Sequence, residues 1–302
     1  PKPMDAIALQ EPGTVLEASE LPLNPDGSVY HLAMHPDQLA DRVFVVGDPG
    51  RVQRVSARFD AVEHRVSNRE FVCHTGRLGD RSFSVLATGI GTDNIDIVLN
   101  ELDALVNVDL TTRTVKRDHR SLRIVRMGTT GALQPGIAPG DLVVSAHGLG
   151  LDNVLHYYAY ENSPAELRLW QALMAGLGWP DHLPTPYLAA ADKDLLALYG
   201  RDHHTGITAT AGGFYGPQGR NVRALAGVPD LNERLAEFEH EGLRVTNFEM
   251  ETSALYGLSG ILGHAACTVC TVVANRAEGT FLEDHHAAVE AMIDEVLDRS
   301  TI

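Results

Sequence analysis

The chain has 302 residues, and its hydrophobic fraction of 44% is ordinary for a globular protein with a sizeable core. Its 40 acidic and 24 basic side chains give a formal net charge of −16, which disfavours nucleic acid and anionic membranes as partners. No apolar run approaches the roughly 20 residues of a membrane span, and the 3 cysteines, an odd and small number, indicate a reducing, cytoplasmic compartment.

Residues 1–29 carry scattered acids, prolines and isolated leucines, which predict a loosely structured N-terminal arm rather than a secretory signal. From residue 30 to residue 302, short apolar runs alternate with helical patterns, without a repeat or a linker, so we expect a single domain. This alternation favours an α/β sandwich, and the turn signal Gly79-Asp80 between two β runs adds a hairpin and hence a mixed sheet. The pattern predicts strands at 43–46, 70–78, 81–88, 122–127, 141–146, 207–210, 243–245 and 265–274. It predicts helices at 52–59, 93–106, 164–177 and 283–298, and a further helix through the apolar segment that follows Glu251.

Two loops carry features of an anion site. Gly47-Asp48-Pro49-Gly50 follows the first strand and opens a helix, where backbone N–H groups face an anion and Arg51 adds a charged fork. Taken alone, these glycines are better explained by a plain turn, because their spacing matches neither a Walker loop nor a dinucleotide fingerprint. Arg126 ends an apolar strand, where a charge is costly to bury without a partner. An oxyanion held by Arg126 and Thr129 would supply that partner, and so would a salt bridge from Arg126 to a core acid.

Two further loops carry groups suited to a nucleoside. In Asn247-Phe248-Glu249-Met250-Glu251, the paired carboxylates suit ribose hydroxyls and the thioether suits an apolar ring face, although a solvated helix start explains the acids as well. In the segment 213–220, Phe214 offers a face for stacking, while Gln218 and Arg220 match the hydrogen-bonding edge of a pyrimidine. An exposed aromatic loop is the alternative for that segment. The segment 273–279, which leaves the last long strand, is a candidate wall of the same site.

Two patterns that look like redox or metal motifs do not predict such sites. Cys267 and Cys270 have the C-x-x-C spacing, but they lie in a β run, where residues three apart point to opposite faces. The histidine pairs at 203–204 and 285–286 have no partners at metal-ligand spacing and are expected at the surface. We therefore predict neither a redox centre nor a metal site at these residues.

In this order and spacing, the motifs resemble those of the nucleoside phosphorylase family, and most closely its uridine phosphorylase branch. The resemblance extends from Tyr30 to Arg276 and rests on the segments 47–51, 68–71, 88–91, 126–131, 214–220 and 247–251. It implies a three-layer α/β/α sandwich with a central mixed, partly barrel-like sheet. It also implies reversible phosphorolysis of uridine to uracil and ribose 1-phosphate, with inorganic phosphate as co-substrate and no cofactor. The active site would lie at the dimer interface of a homo-oligomer, either a dimer or a hexamer.

The resemblance also implies roles for individual residues. Within one subunit it assigns phosphate binding to Gly47, Arg51, Arg126 and Thr129, ribose binding to Met250 and Glu251, and base binding to Phe214, Gln218 and Arg220. From the neighbouring subunit, Arg69 would reach the phosphate and His31 the ribose 5′-hydroxyl. Arg126, Glu251 and Arg220 would be the catalytic residues. A structural monovalent cation near Glu70 is compatible with the resemblance.

The choice of base and two departures from the family pattern concern particular segments. Purine-specific members place an aspartate after the last long strand, whereas this chain has Asn275-Arg276 there, which favours a pyrimidine. The segment 108–121 is longer than in bacterial members and is a candidate for altering how dimers assemble. Pro217 directly precedes Gln218 and is expected to stiffen the segment 213–220, here called the base loop.

Four alternative functions were weighed against this one. A purine nucleoside phosphorylase of the same fold lacks its aspartate here. A nucleosidase would use water instead of phosphate, and water needs no set of arginines. A catalytically silent nucleoside-binding protein would be expected to lose charged groups that are costly to hold together. A dinucleotide-binding oxidoreductase would need a G-x-G-x-x-G pattern, which this sequence lacks.

Overall fold

The computed structural model describes residues 9–301, and the predicted strands and helices occur in the predicted order. The strands are β1 (Arg42–Val46), β2 (Ala61–Asn68), β3 (Phe71–Leu78), β4 (Arg81–Ala87), β5 (Val108–Asp109), β6 (Thr114–Val115), β7 (Arg123–Ala132), β8 (Leu142–Gly150), β9 (Tyr187–Ala190), β10 (His204–Thr210), β11 (Glu239–His240), β12 (Leu243–Glu249), β13 (Ala265–Asn275) and β14 (Thr280–Phe281). The helices are α1 (Pro49–Ser56), α2 (Thr92–Asn107), α3 (Pro164–Leu177), α4 (Lys193–Tyr199), α5 (Leu231–Glu237), α6 (Thr252–Leu262) and α7 (His286–Thr301).

A mixed sheet of 12 strands forms the centre of the molecule. Strands β7, β13, β8, β10 and β12 close into a barrel, because β12 pairs with β10 on one side and with β7 on the other. From β7 the sheet continues through β1, β4, β3 and β2, and the last three of these strands are antiparallel neighbours. The expectation of a mixed, partly barrel-like sheet is confirmed.

Helices cover both faces of the sheet. Along β1, Val43 and Val45 pack on the face covered by α2 and α6, whereas Phe44 and Val46 pack on the face covered by α1, α4 and α7. This alternation follows from the two-residue period of a strand, and it explains why β1 is apolar throughout. The three-layer α/β/α arrangement is thereby confirmed. Among residues 9–301, every helix is too short or too polar to cross a lipid bilayer.

Some element boundaries differ from the predicted ones, for local reasons. Helix α1 begins at Pro49 rather than at residue 52, because the Asp48 side chain accepts a hydrogen bond from the Gly50 N–H and proline suits the first helical position. Strand β2 was not predicted, since its residues alternate only between exposed and half-buried and carry little apolar signal. Strand β9 and helices α4 and α5 were also missed; each has no more than 7 residues.

The N-terminal arm is described from residue 9 onward, and residues 1–8 of that predicted arm lie outside the described residues. Its backbone pairs with the long segment 108–121, which contains the β5–β6 hairpin: Val15 forms a bridge with Thr114, and the Gly13 N–H donates to the Val115 carbonyl at 2.9 Å. Further along the arm, Leu21 and Val29 are buried. The N-terminal arm and the long segment 108–121 therefore contact each other.

Candidate active site

A cavity of about 860 Å³ lies where β1, β12 and β13 end. In open α/β folds this edge of the sheet is the usual place for a ligand. Nine of the residues singled out in the sequence line this cavity: Gly47, Arg51, Arg126, Thr129, Phe214, Gln218, Arg220, Met250 and Glu251. The loops thus converge although they are far apart along the chain.

The floor of the cavity holds two buried arginines. Arg51 is 8% exposed, and its Nη1 donates to the Met127 carbonyl at 3.0 Å, while its buried Nε has no hydrogen-bond partner among the described residues. Burial and the nearby charge of Arg126 both lower the pKa of Arg51. An anion placed between the two guanidinium groups would stabilise both charges and supply acceptors for their unused donors.

Arg126 is also paired with acids. Its Nη2 contacts Glu251 and lies 3.4 Å from Glu249, and its Nη1 donates to the Cys270 sulfur at 3.2 Å. Burial disfavours the charged form of Arg126, but Glu251 and Glu249 outweigh that effect and raise its pKa. The salt bridge to a core acid, weighed as an alternative to an anion site, is therefore present. It leaves Arg126 on the wall of the cavity.

The two glutamates of the Glu-Met-Glu segment have different surroundings. Glu249 accepts hydrogen bonds from the Thr210 hydroxyl at 2.7 Å and from the backbone N–H groups of Glu251 at 2.9 Å and Thr252 at 3.0 Å, so it fastens the start of α6. Glu251 accepts from the Gly91 N–H at 2.7 Å and pairs with Arg126. Burial raises the pKa of Glu251, and Arg126 offsets part of that rise. Glu251 is consequently the carboxylate better placed to accept from a ligand.

Two glycines allow this arrangement. A Cβ atom on Gly128 would lie 1.9 Å from Arg126 Nη1 and 2.8 Å from the Cys270 sulfur, so the strand needs glycine where the guanidinium crosses it. Gly91 has φ +101°, a conformation that other residues rarely adopt, and in it the N–H points at Glu251. The motif 88–91 therefore contributes a backbone donor to the site.

The base loop holds a glutamine between two arginines. Gln218 is 3% exposed, and its Oε1 accepts from Arg220 and from Arg276, each at 2.8 Å. Two guanidinium donors fix which end of the amide is oxygen, which leaves the NH₂ group for a ligand. The Arg220 guanidinium lies 3.7 Å from the centre of the half-exposed Phe214 ring.

Arg276 is a site residue that the sequence analysis assigned only to a wall. Burial, together with the charge of Arg220, lowers its pKa to about 10, and its guanidinium also contacts the Gln218 carbonyl. The signal that identified Arg126, an arginine at the end of an apolar run, was available for Arg276 too. Asn275 donates to the carbonyls of Gln134 and Ile137 at 2.9 and 2.8 Å, so its amide secures the backbone.

His31 and Arg69 do not line the cavity of their own chain. They are neighbours elsewhere: Asn68 donates to the His31 carbonyl at 2.9 Å, and the Arg69 guanidinium lies 5.5 Å from the ring centre of Tyr30. His31 Nδ1 lies 2.6 Å from Glu101 Oε1. The two residues expected to act from a neighbouring subunit thus form one group, next to the exposed Glu70.

The cysteines occupy the buried strands predicted for them. Cys267 and Cys270 both lie in β13, and each is a free, buried thiol. Burial raises the pKa of Cys267 to about 12 and that of Cys270 to about 11. Since the thiolate is the reactive form, neither is suited to redox chemistry at neutral pH. The rejection of the C-x-x-C spacing as a redox motif agrees with this placement.

The chain is similar in sequence and in fold to known phosphorylases. The sequence profile of the phosphorylase superfamily matches residues 41–301. The uridine phosphorylase of Thermococcus kodakarensis is 33% identical over 270 residues, which cover 87% of this chain and 83% of the relative. The uridine phosphorylase of Escherichia coli is 30% identical over 259 residues, covering 83% and 87% of the two chains. Among solved structures, a Trypanosoma brucei nucleoside phosphorylase described as showing uridine phosphorylase activity superposes with a TM-score of 0.83 at 32% identity, covering 92% of this chain and 98% of its own.

Proposed function

We propose, because the chain belongs to the phosphorylase superfamily, that it is a uridine phosphorylase of pyrimidine salvage. The enzyme is a pentosyltransferase: it cleaves uridine with inorganic phosphate and releases uracil and ribose 1-phosphate. The observation that carries the proposal is one cavity in which two buried arginines, a buried glutamate and an arginine-held glutamine lie together. These groups match the phosphate, the ribose and the base in turn.

Phosphate binds on the cavity floor. Arg51 and Arg126 supply opposing charge, Thr129 and the Gly47 backbone lie beside them, and the partner subunit's Arg69 completes the set. Two fixed charges on buried side chains hold a dianion strongly and keep it in one place. This arrangement turns the encounter of phosphate and nucleoside into a reaction between oriented neighbours.

The ribose lies between phosphate and base. Glu251 accepts hydrogen bonds from the ribose hydroxyls, and Met250 packs on the apolar face of the ring. Because Arg126 contacts Glu251 directly, the same guanidinium fixes phosphate and ribose relative to each other. As the glycosidic bond lengthens, positive charge develops on the sugar, and phosphate attacks C1′ from the face opposite the base.

The leaving uracil gains negative charge as the bond breaks. The Gln218 NH₂ group and Arg220 donate to it, and Arg276 holds the Gln218 oxygen from behind. Donors that interact more strongly with the anion than with neutral uridine lower the barrier itself. Phe214 covers one face of the ring.

The alternatives fit these contacts less well. A nucleosidase has no use for the unpartnered donor of buried Arg51. A silent binder would not need Arg51 and Arg126 side by side, an arrangement that costs stability when no anion is bound. A purine phosphorylase would need an acid near residue 275, where the amide of Asn275 instead secures two backbone carbonyls.

The proposal includes an assembly and a location. The active form is a homo-oligomer in which the partner subunit's His31 and the partner subunit's Arg69 complete each cavity, since both residues lie outside their own. A monovalent cation binds near Glu70 at that interface. Free thiols at all three cysteines suit a cytoplasmic location.

Identification of the sugar product tests the reaction type. Phosphorus NMR of a uridine reaction should show a new sugar phosphate that accumulates in step with uracil. A control without phosphate should show no uracil. Free ribose, formed at the same rate with and without phosphate, would establish a nucleosidase and overturn the proposal.

A further inference from the structure

A second cavity lies at the opposite end of β1 from the active site. It has a volume of about 260 Å³ and is lined by Arg42, Val43, Phe44, Arg81, Phe83, Arg123, Val125, Leu195, Leu198, Tyr199, Arg299 and Ser300. The lining contains four arginines and, among the described residues, no acid. For a chain with a net charge of −16 this is an unusual concentration of positive charge.

Strand geometry explains why three of these arginines meet. Arg42, Arg81 and Arg123 each begin a strand, and these strands, β1, β4 and β7, are neighbours in the sheet. Arg42 is directly opposite Arg123 in the β1–β7 pairing, and opposite Phe83 of β4, two residues beyond Arg81. Because side chains alternate between faces, all three arginines lie on the face covered by α4 and α7.

The other walls fix two of the guanidinium groups. Arg81 donates to the Ser300 carbonyl at 2.7 Å, and Arg299 donates to the Leu198 carbonyl at 2.9 Å and to Glu295 at 2.6 Å. These contacts hold both arginines at the carboxyl ends of α7 and α4, where cations are favoured. The positive rim of the cavity is thus held in place before any ligand arrives.

Arg42 and Arg123 carry the unbalanced charge. Like charges directly opposite on paired strands destabilise a sheet. Both charges also act on the buried Tyr199 hydroxyl, which lies 2.7 Å from the Ser300 hydroxyl: burial raises the pKa of Tyr199, while Ser300 and the two arginines oppose the rise. The Ser300 hydroxyl in turn donates to the Val296 carbonyl at 2.6 Å, so the hydroxyl pair is satisfied within the protein and the arginines supply the donors for an anion.

We propose that this cavity is a second ligand site, specific for a small phosphate-type polyanion. Arginines recognise phosphate oxygens with paired donors, and Arg42 and Arg123 would bind them with help from Arg81 and Arg299. The volume admits a molecule of the size of pyrophosphate. Since β1 separates the two sites by roughly 13 Å at about 3.3 Å per residue, occupancy of this site does not block the active site.

The test is a calorimetric titration of the full-length protein with pyrophosphate. The wild type should bind one more pyrophosphate per chain than the double variant Arg42→Gln/Arg123→Gln, whatever binds at the active-site arginines. The control Arg65→Gln/Arg168→Gln removes two exposed arginines elsewhere and should match the wild type. Uridine turnover by the cavity variant should stay within about twofold of the wild type, since neither arginine touches a substrate.

A conservative variant separates lost binding from lost folding. Arg42→Lys/Arg123→Lys keeps both charges without the paired donors, so its binding should be weaker than wild type by about tenfold and yet measurable. Equal stoichiometry and affinity in the wild type and the glutamine variant would overturn the proposal. Absence of the extra binding event in the wild type would overturn it as well. Both results are independent of uridine turnover, so they do not depend on the proposed function.

Discussion

Arg51 and Arg126 are both buried under the active-site cavity, but their neighbours differ. Arg126 is paired with Glu251 and Glu249, so Arg126→Ala leaves two buried acids unpaired and should cost about 3–5 kcal/mol of unfolding free energy. Arg51→Ala removes one hydrogen bond and a repulsive neighbour, and should cost only on the order of 1 kcal/mol. Both changes should raise the phosphate KM by roughly tenfold to a hundredfold.

Denaturant unfolding and phosphate-dependent initial rates check this pair. Arg168→Ala, on the exposed face of α3, is the matched control and should change neither quantity. Equal destabilisation by Arg51→Ala and Arg126→Ala would contradict the different charge environments. An unchanged phosphate KM in both variants would show that phosphate does not bind at these two arginines.

Glu251 should make activity depend on pH on the acid side. Its pKa is raised, mainly by burial, and the protonated form cannot accept from two ribose hydroxyls. The kcat/KM for uridine should therefore fall with decreasing pH, with an apparent pKa above the ordinary glutamate value. Glu251→Gln should lower kcat/KM by about a hundredfold and abolish the decrease in kcat/KM at low pH. The control Glu239→Gln, at an exposed position, should keep the wild-type kcat/KM and its wild-type pH dependence.

The same group links pH to stability. A carboxyl whose folded-state pKa exceeds its unfolded value contributes stability that is fully present below the unfolded pKa and is lost as pH rises through the folded one. We therefore subtract the unfolding free energy of Glu251→Gln from that of the wild type. This difference should decrease as pH rises from the unfolded-state pKa to the folded-state pKa of Glu251. A difference that grows with pH there would show that the pKa of Glu251 is lowered instead.

At the scale of elements, strand β7 depends on Gly128. A methyl group at this position would collide with Arg126 Nη1 and the Cys270 sulfur, so Gly128→Ala should displace Arg126 from Glu251. We expect a lower melting temperature and a phosphate KM raised by at least about tenfold. Gly260→Ala on α6, where a Cβ meets open space, should keep wild-type activity and gain up to about 1 kcal/mol. Similar kinetics for the two variants would show that β7 tolerates the methyl group.

Local patterns predicted the elements that carry strong signals. The α3 start is an example: the helix begins at Pro164, as predicted, and Ser163 and Glu166 form a reciprocal capping box there. Strand β2 and the short helices escaped because their apolar signal is weak or brief. Closure of the barrel through the β12–β7 pairing could not be read from the residues, since strand partners distant in sequence leave no local pattern.

For the candidate site as well, the sequence predicted residues with a strong local signal but not their contacts with distant residues. Arg126, Gln218 and Glu251 were found because polar residues at or beyond the ends of apolar runs are conspicuous. The contacts between these residues were not found from the sequence. The different surroundings of Glu249 and Glu251 depend on Thr210 and Gly91, which lie far away along the chain. Arg276 was missed as a partner of Gln218 for the same reason.

In the proposed homo-oligomer, neighbouring subunits share their active sites. Arg69→Ala and Glu251→Gln should each impair the enzyme alone, but a mixed dimer has one site with both defects and one intact site. In a random mixture obtained by co-expression with two tags, half of the dimers are mixed, so about a quarter of wild-type activity should return. Activity equal to the mean of the two parent variants would place Arg69 outside the partner's site.

The reaction proposed for the cavity is the cleavage of a pyrimidine nucleoside by phosphate. Its most direct test is the ultraviolet absorbance of the purified protein with uridine, with and without inorganic phosphate, alongside inosine under the same conditions. We predict loss of uridine only when phosphate is present and no change in inosine. Cleavage of uridine without phosphate, or phosphorolysis of inosine alone, would contradict the account.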